Sequence, residues 1–371
     1  MKKIIIIEYV HYQYALTLSE FFKNDEIIYI FSSSINKSIR RFNPNFNSKN
    51  IWIYEPNRLK IDLNNLINRI NIENPDLLCI DPIFDNFKEF AQICKSVNSK
   101  ILFTTHNINT WFKPSLRSLK DLKEKKYKAQ ILKNVDYIAV EDFIYNHLKN
   151  NEKTLFKKYN FVYIPYTIYY GKVNKIKKND ERIKIVLPGS IDKERRKYED
   201  TIKVIRKLIN EDNNKFIFSF AGPAIGEYGN DILNELEKIK EIDNNIVIFF
   251  KEKPSPEEFR YEMESADIVL STSTKYFYTL GTKEEIGKTK PTAAIHDMVS
   301  FVLPGILPKH LNIPKELKSS SLQYQTADDL YNNIISLLND NKLEELSNEA
   351  KKNSLKYTPK EILKRNVIKF L

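Results

Sequence analysis

The strongest indication of the fold is the stretch IKIVLPGSIDKERRKYEDTIKVI, residues 183–205. It begins as a short apolar run, turns at Pro188, Gly189 and Ser190, and continues as an amphipathic helical pattern. Apolar runs without strict alternation are typical of parallel strands that are covered on both faces. The stretch therefore predicts a strand, a tight turn and a helix, which is the repeating unit of an α/β sheet.

The same unit recurs along the chain on both sides of a polar, charged segment at residues 171–182. We therefore predict an α/β protein with two Rossmann-like, doubly wound domains that face each other across a cleft. The first domain is expected to span residues 1–170 and the second residues 183–355, with 171–182 as the linker. A last helix, residues 356–371, is expected to cross back to the first domain. Ligands of such sheets bind at the carboxyl ends of the strands.

The composition excludes several classes of protein. Of the 371 residues, 42% are hydrophobic and 29% are charged, which rules out global disorder. No apolar run approaches the roughly 20 residues that cross a bilayer, and the isoleucine run 4–7 is too short for a signal peptide. Two cysteines are too few for a disulfide framework or a zinc cluster. We expect a cytoplasmic protein.

Charge and glycine are divided unevenly between the two halves. Residues 1–180 hold 29 Lys and Arg against 18 Asp and Glu, whereas residues 181–371 hold 30 of each. All eight glycines lie at or after Gly171. A glycine-rich phosphate loop is therefore disfavoured in the first half, where a dinucleotide-binding protein usually carries it.

A basic cluster follows the turn at residues 188–190. Arg195, Arg196 and Lys197 precede a predicted helix, although basic residues are normally favoured at the other end of a helix. A bound diphosphate would explain this placement, with Gly189 allowing close approach of the backbone and Ser190 donating a hydrogen bond. The alternative is a solvated turn in which acidic neighbours pair with the cluster.

A second candidate anion site lies in EEIGKTKPTAAIHDMVSFVLPGILP, residues 284–308. We expect a helix to begin at Pro291, which would place Thr289 near its N-cap. The polar residues before and around this helix start are Gly287, Lys288, Thr289, Lys290 and Thr292. Carboxylates that could accept hydrogen bonds from sugar hydroxyls are Glu284, Glu285 and Asp297. The alternative is an ordinary helix start with surface charges.

These motifs, in this order, resemble the nucleotide-binding domain of GT-B glycosyltransferases, most closely family 4. The resemblance implies that Asp297 binds the donor ribose. It also implies that Glu284 or Glu285 is the first glutamate of the family's motif. These two residues stand 13 and 12 positions before Asp297, whereas the family's spacing is eight. It also implies that Arg195 takes the place of the phosphate-binding lysine, with Ser190 where many members have arginine. The turn over the phosphates and donor sugar would contain Thr289, Lys290 and Thr292, and Gly222 would end a strand near the donor.

Polar residues at predicted strand ends mark the acceptor side in the first half. His106 is the candidate base, because histidine can accept a proton near neutral pH, and the family often has a histidine at this strand end. His11 and Glu141 are candidates for binding the acceptor, and Asp81 ends a further strand. Glu141 or Asp81 could also be the base of an inverting reaction. The alternative for each of these residues is a capping, surface or structural role. No metal-ligand spacing is present, so metal-independent chemistry is predicted.

The sequence thus predicts a glycosyltransferase that uses a nucleotide-diphospho-sugar as co-substrate, with no other cofactor. A basic segment near residues 115–133 could contact anionic lipid, so the acceptor is expected to be an anionic, lipid-linked or cell-surface glycan at the inner face of the membrane. A solvated helix face is the alternative. Three other functions stay open: a nucleic-acid-modifying GT-B enzyme, a sugar-nucleotide epimerase, and a catalytically degenerate binding subunit. The first is disfavoured because aromatic residues are sparse along the basic segment.

Overall fold

The computed structural model describes residues 1–42, 46, 50–115, 118–171, 173–176, 180–339 and 341–365. Parts of the predicted linker, Lys172 and residues 177–179, lie outside the described residues, as do 366–371 of the expected last helix. The same applies to Leu116 and Arg117 of the basic segment. None of the helices in the described ranges is both long and apolar enough to cross a bilayer.

The first half of the chain folds into one parallel sheet. Its strands are β1 (Lys3–Glu8), β2 (Glu26–Phe31), β3 (Ile51–Ile53), β4 (Leu77–Ile80), β5 (Lys100–Thr104), β6 (Tyr137–Val140) and β7 (Phe161–Tyr163). Its helices are α1 (Tyr12–Phe21), α2 (Ser33–Phe42), α3 (Leu59–Glu73), α4 (Phe87–Ser96), α5 (Ile108–Phe112), α6 (Leu119–Asn134), α7 (Asp142–Asn151) and α8 (Lys153–Lys158), with a 3₁₀ turn at Pro56–Arg58. The strand order β3-β2-β1-β4-β5-β6-β7 is doubly wound, and the chain reverses direction across the sheet between β1 and β4.

The second half repeats this plan. Its strands are β8 (Ile183–Pro188), β9 (Phe216–Ala221), β10 (Val247–Phe249), β11 (Ile268–Leu270), β12 (Tyr276–Thr279), β13 (Thr282–Glu285), β14 (Gly305–Pro308) and β15 (Ser321–Tyr324). Its helices are α9 (Glu199–Asn210), α10 (Gly226–Ile242), α11 (Pro256–Glu264), α12 (Ala293–Phe301), α13 (Ala327–Ser336), α14 (Lys342–Leu355) and α15 (Pro359–Lys364), with a 3₁₀ turn at Lys315–Ser320. The parallel sheet has the order β10-β9-β8-β11-β14-β15, whereas β12 and β13 form a separate antiparallel hairpin.

The two α/β sheets predicted from the sequence are confirmed, and burial explains why the strands are recognisable. Ile4, Ile5, Ile6 and Ile7 of β1 are all buried, since helices cover both faces of the sheet. At the C-terminus, α15 contacts α1 of the first half, and the Tyr169 N–H donates to the Tyr357 carbonyl at 2.9 Å.

The predicted start of one helix is wrong, and one lysine of the basic segment is buried. The helix expected at Pro291 begins at Ala293, and its N-cap is Thr292 rather than Thr289. The reason is a tight turn just before it, in which the Gly287 N–H donates to the Lys290 carbonyl at 2.8 Å. In the basic segment, Lys128 is buried beside the rings of Phe87 and Trp111, so it contributes nothing to a surface.

Candidate functional site

A cavity of about 570 Å³ lies between the carboxyl ends of the two sheets. Residues from both halves line it, because the ends of β1, β5 and β7 face the ends of β8 and β11. Among the sequence-predicted residues, the cavity brings together His11, His106, Arg195, Arg196, Lys290 and Thr292. Its lining within the described ranges contains no Asp or Glu side chain.

One wall of the cavity carries the positive charge. Arg196 Nη1 donates to the Ser190 carbonyl at 2.9 Å, which folds the guanidinium over the turn after β8. Lys290 Nζ donates to Asn107 Oδ1 at 2.8 Å and lies 5.1 Å from the centre of the Phe277 ring, and Arg195 lies 4.8 Å from the same centre. These contacts aim the cationic groups into one space, which suits a ligand with several negative charges.

The turn beneath Arg196 requires glycine at two positions. Gly189 has a φ of +92°, and a Cβ there would lie 2.2 Å from Arg196 Nη2. A Cβ on Gly222 would lie 2.2 Å from the Gly189 carbonyl oxygen. Gly189, Ser190 and Gly222 therefore do not line the cavity themselves; they form the close-packed support on which Arg196 rests.

Burial weakens the charge of Lys290. It lowers the pKa of the Lys290 ammonium from 10.5 to about 8, and the positive charge of Arg195 acts in the same direction. The carboxylate of Glu284 acts in the opposite direction and favours the charged form. Lys290 is thus mostly protonated at neutral pH and loses its proton in mildly alkaline solution.

The opposite wall is built from imidazoles and one phenol. The ring centre of Tyr166 lies 5.4 Å from that of His11, 5.2 Å from that of His106 and 4.4 Å from that of His296. Burial, followed by neighbouring positive charge, lowers the pKa of His11 to about 4, that of His296 to about 3 and that of His106 well below 6.5. All three rings are therefore neutral at pH 7, and each can accept a hydrogen bond on its unprotonated nitrogen.

Hydrogen bonds orient His11. The Tyr166 hydroxyl donates to Gln13 Oε1 at 3.2 Å, and Gln13 Oε1 can only accept. His11 Nδ1, 2.9 Å from the same hydroxyl oxygen, is then the donor of that contact, which leaves the lone pair on Nε2. His106 Nε2 has no hydrogen-bond partner among the described residues, so it is free to meet a ligand.

Three carboxyl groups lie behind this wall rather than in it. Glu8 Oε1 accepts from the backbone N–H groups of Val10 and His11, and thereby fixes the loop that carries His11. Burial, followed by the charge of Glu8, raises the pKa of Asp81 well above its usual range, which favours the protonated form. Glu141 Oε1 accepts from the Tyr166 N–H at 3.0 Å and lies 3.6 Å from His296 Nε2.

Four of the predicted donor-binding residues have other partners. Glu284 is fully buried and accepts hydrogen bonds from α5 of the first half. Glu285 pairs with Lys288 at 2.8 Å, and its N–H donates to Thr289 Oγ1 at 2.8 Å. Gly287, with a φ of +83°, closes the same turn. These residues shape the support of Lys290 and do not line the cavity.

Asp297 lies in a neighbouring cavity of about 500 Å³, which shares Tyr166, Ala293 and His296 with the first. Burial raises the pKa of Asp297 to about 7, and the charge of Arg196 opposes this rise. The Asp297 carboxylate therefore interacts electrostatically with Arg196, but it lines the neighbouring cavity.

Sequence reasoning missed Tyr166, His296, Asn107 and Phe277. Tyr166 follows β7 and could have been found as a polar residue at a strand end. Phe277 belongs to the β12–β13 hairpin, whose aromatic and threonine residues around Leu280 and Gly281 are a hairpin signal. Within the described residues, no three His, Cys, Asp or Glu side chains converge as metal ligands.

Comparison with known proteins gives similarity in fold without similarity in sequence. No protein-family profile matches the chain, and no curated protein does. Three solved structures are similar over nearly their whole lengths. A sucrose-phosphate synthase from Thermosynechococcus elongatus is 14% identical with a TM-score of 0.62, and the match covers 99% of this chain and 97% of that one.

The second, HepE of Anabaena in complex with UDP and glucose, is 10% identical with a TM-score of 0.65, and the match covers 100% of both chains. The third, a putative UDP-N-acetylglucosamine 2-epimerase from Listeria monocytogenes, is 9% identical with a TM-score of 0.58, over 94% of this chain and 90% of that one. At such identities the likeness concerns the fold alone. The chain has the GT-B fold, as its sequence predicts.

Proposed function

We propose that the protein is a glycosyltransferase that moves a sugar from a nucleotide-diphospho-sugar to a glycan acceptor. One observation carries the proposal: a cavity between two GT-B domains has three cationic side chains on one wall, neutral histidines on the other, and no carboxylate in its described lining. The UDP complex of HepE, a protein of the same fold, supports a nucleotide-sugar as the ligand.

The cationic wall would act on the leaving group. As the sugar departs, negative charge grows on the diphosphate, and Arg195, Arg196 and Lys290 would neutralise it. Such preorganised electrostatic stabilisation is commonly the largest contribution to catalysis. Because these side chains supply the positive charge, we propose that the reaction proceeds without a metal. The proposed donor site in the second domain also includes Thr292, which stands at the N-cap position of α12 and lines the cavity.

The imidazole wall would act on the acceptor. A neutral His106 with an unpartnered Nε2 can accept a hydrogen bond or a proton from the acceptor hydroxyl. His11 Nε2 is oriented for the same task by Tyr166 and Gln13. We therefore assign acceptor binding to the first domain, with His106 as the proposed base and His11 as a proposed contact.

The acceptor is proposed to be lipid-linked or carried at the cell surface. Helix α6 exposes Leu119 at 79% and Leu122 at 50%, and the side chain of Lys120 between them is 84% exposed. Exposed leucines beside lysines suit an anionic lipid surface. This face would hold the protein at the inner face of the membrane, where such an acceptor is found.

A sugar-nucleotide epimerase is the second candidate, since a putative epimerase has the same fold. Such a reaction needs acid and base groups around the sugar. Glu8 and Asp81 are nearby, but they are buried behind the wall. An epimerase would convert the donor with no acceptor present, whereas a transferase would need one.

The test is release of nucleoside diphosphate from a panel of nucleotide-sugars, with and without membrane lipid extract as acceptor. The Arg195→Ala/Lys290→Ala variant should lower the rate by about 100-fold or more. Lys288→Ala is the matched control, because Lys288 pairs with Glu285 outside the cavity lining. Full activity of the double variant would show that the diphosphate binds elsewhere.

A further inference from the structure

The β12–β13 hairpin lies outside both parallel sheets and connects the two halves of the molecule. Its strand β13 packs against α5, the short helix that follows the β5 strand end carrying His106. Ser115 N–H donates to Thr282 Oγ1 at 2.9 Å, and Asn109 Nδ2 donates to the Lys283 carbonyl at 2.9 Å. The hairpin is therefore an interdomain contact that the doubly wound plan does not require.

Glu284 is the centre of this contact. Its side chain is 0% exposed, and its carboxylate accepts from the Thr110 N–H at 2.8 Å, the Thr110 hydroxyl at 2.8 Å and the Asn109 N–H at 3.2 Å. A buried carboxylate is costly unless it is well hydrogen-bonded. The donors of these three bonds all belong to the other half of the chain, and the Thr289 hydroxyl of the second half also hydrogen-bonds to the carboxylate. Glu284 therefore keeps most of its hydrogen bonds only while the two halves are together.

Two further hydrogen bonds between the halves lie next to this contact and include Lys290. Ile108 N–H donates to the Thr289 carbonyl at 3.0 Å, and Lys290 Nζ donates to Asn107 Oδ1 at 2.8 Å. Segment 107–110 of the first half thus meets segment 284–290 of the second half at three successive points. The first-half segment begins next to His106, and the second-half segment ends at Lys290.

We propose that Glu284 is a positioning residue: its carboxylate holds segment 107–110 against the 284–290 turn and thereby sets Lys290 opposite His106. This inference rests on the proposed transfer reaction for its catalytic consequence, but the contact itself can be measured without activity. Donor binding depends mainly on groups of the second half, whereas the chemistry needs both walls together. Loss of Glu284 should therefore lower kcat more than it raises KM for the donor.

The experiment compares Glu284→Ala, Thr110→Val and Thr110→Ser with Lys283→Gln as the matched control. Lys283 is exposed on the same strand, and its side chain lies over the Tyr276 ring, away from Glu284. The first readout is hydrogen–deuterium exchange at the amides of Asn109 and Thr110. Exchange should become at least about tenfold faster in Glu284→Ala and stay unchanged in Lys283→Gln.

The second readout is steady-state kinetics of donor turnover. In Glu284→Ala and Thr110→Val, kcat should fall about tenfold or more with KM for the donor changed by less than about threefold, and Thr110→Ser should restore kcat. Unchanged exchange at Asn109 and Thr110 in Glu284→Ala would overturn the proposed contact. Faster exchange with unchanged kcat would overturn the positioning role. An inactive wild type would refute the proposed function instead, while the exchange result would still decide the contact.

If Glu284→Ala fails to fold, Thr110→Val decides the matter alone, because valine keeps the size of threonine and removes only the hydroxyl. The coupling between Thr110→Val and Glu284→Gln, measured as a double-mutant cycle on kcat, should then be clearly non-additive. Additive effects would show that the two side chains act independently.

Discussion

The charge of Lys290 predicts how binding of a nucleoside diphosphate depends on pH. Burial lowers the pKa of this ammonium to about 8, below its ordinary value of 10.5, so the charge is present below pH 8 and is lost as the pH rises through 8. If binding requires the charged form, the apparent Kd scales with the inverse of the charged fraction. That fraction falls from about 90% at pH 7 to about 10% at pH 9, so affinity should fall about tenfold, or about 1.4 kcal/mol.

The assay is titration calorimetry with UDP between pH 7 and pH 9, a range in which the diphosphate stays ionised. Lys290→Arg should remove the fall in affinity, because arginine keeps its charge throughout this range. Lys290→Ala should bind weakly at every pH, and the control Lys288→Ala should retain the wild-type profile. A wild-type Kd that stays constant between pH 7 and pH 9 would refute the assignment of Lys290 to the diphosphate.

Three further predictions concern stability and the surface. Gly222→Ala should destabilise the protein by about 1–3 kcal/mol and lower Tm by a few degrees, because the new Cβ would lie 2.2 Å from the Gly189 carbonyl oxygen. An unchanged Tm would contradict the close packing of Gly222 against Gly189. Burial raises the pKa of Asp297 from 3.8 to about 7, so the folded state holds this proton more tightly than the unfolded state. Between about pH 4 and about pH 7 the wild type should therefore lose up to about 4 kcal/mol of stability relative to Asp297→Asn. Denaturant unfolding at pH 4 and pH 8 measures this difference. Leu119→Glu/Leu122→Glu should abolish co-sedimentation with anionic vesicles, and equal binding of the variant would remove α6 from the proposed membrane surface.

The fold was predictable because its strands are buried on both faces. Apolar runs such as Ile4–Ile7 stand out in a chain with many charged residues, and the spacing of helices between them indicates a parallel sheet. The β12–β13 hairpin escaped prediction because its two strands are only four residues long and alternate buried with exposed positions, and because Leu280 precedes Gly281 at a positive φ in the turn. The end of parallel strand β8 indicated where Arg195 and Arg196 lie, since the turn after the strand carries them to the edge of the sheet, whereas Lys290 follows the antiparallel hairpin. Their role in donor binding stays a prediction.

The carboxylates were harder to place. Sequence spacing cannot show that Glu284 is satisfied by α5, because Asn109 and Thr110 lie about 175 residues away in the chain. The tight turn at 285–290 moves the start of α12 by two residues, and Asp297 opens into the neighbouring cavity. Tyr166 meets His11 and His106 through the fold of the first half, and His296 only where the two halves come together, so no local pattern points to this cluster.

We propose that the cavity between the two domains binds a nucleotide-diphospho-sugar. The most direct measurement is a thermal-shift titration with UDP-, GDP-, ADP- and CMP-sugars, since a ligand that binds only the folded state raises Tm by mass action. We expect a saturable rise in Tm with one class of nucleotide-sugar, and a loss of that rise in the Arg195→Ala/Lys290→Ala variant. The absence of a shift with every nucleotide-sugar, or an equal shift in the double variant, would contradict it.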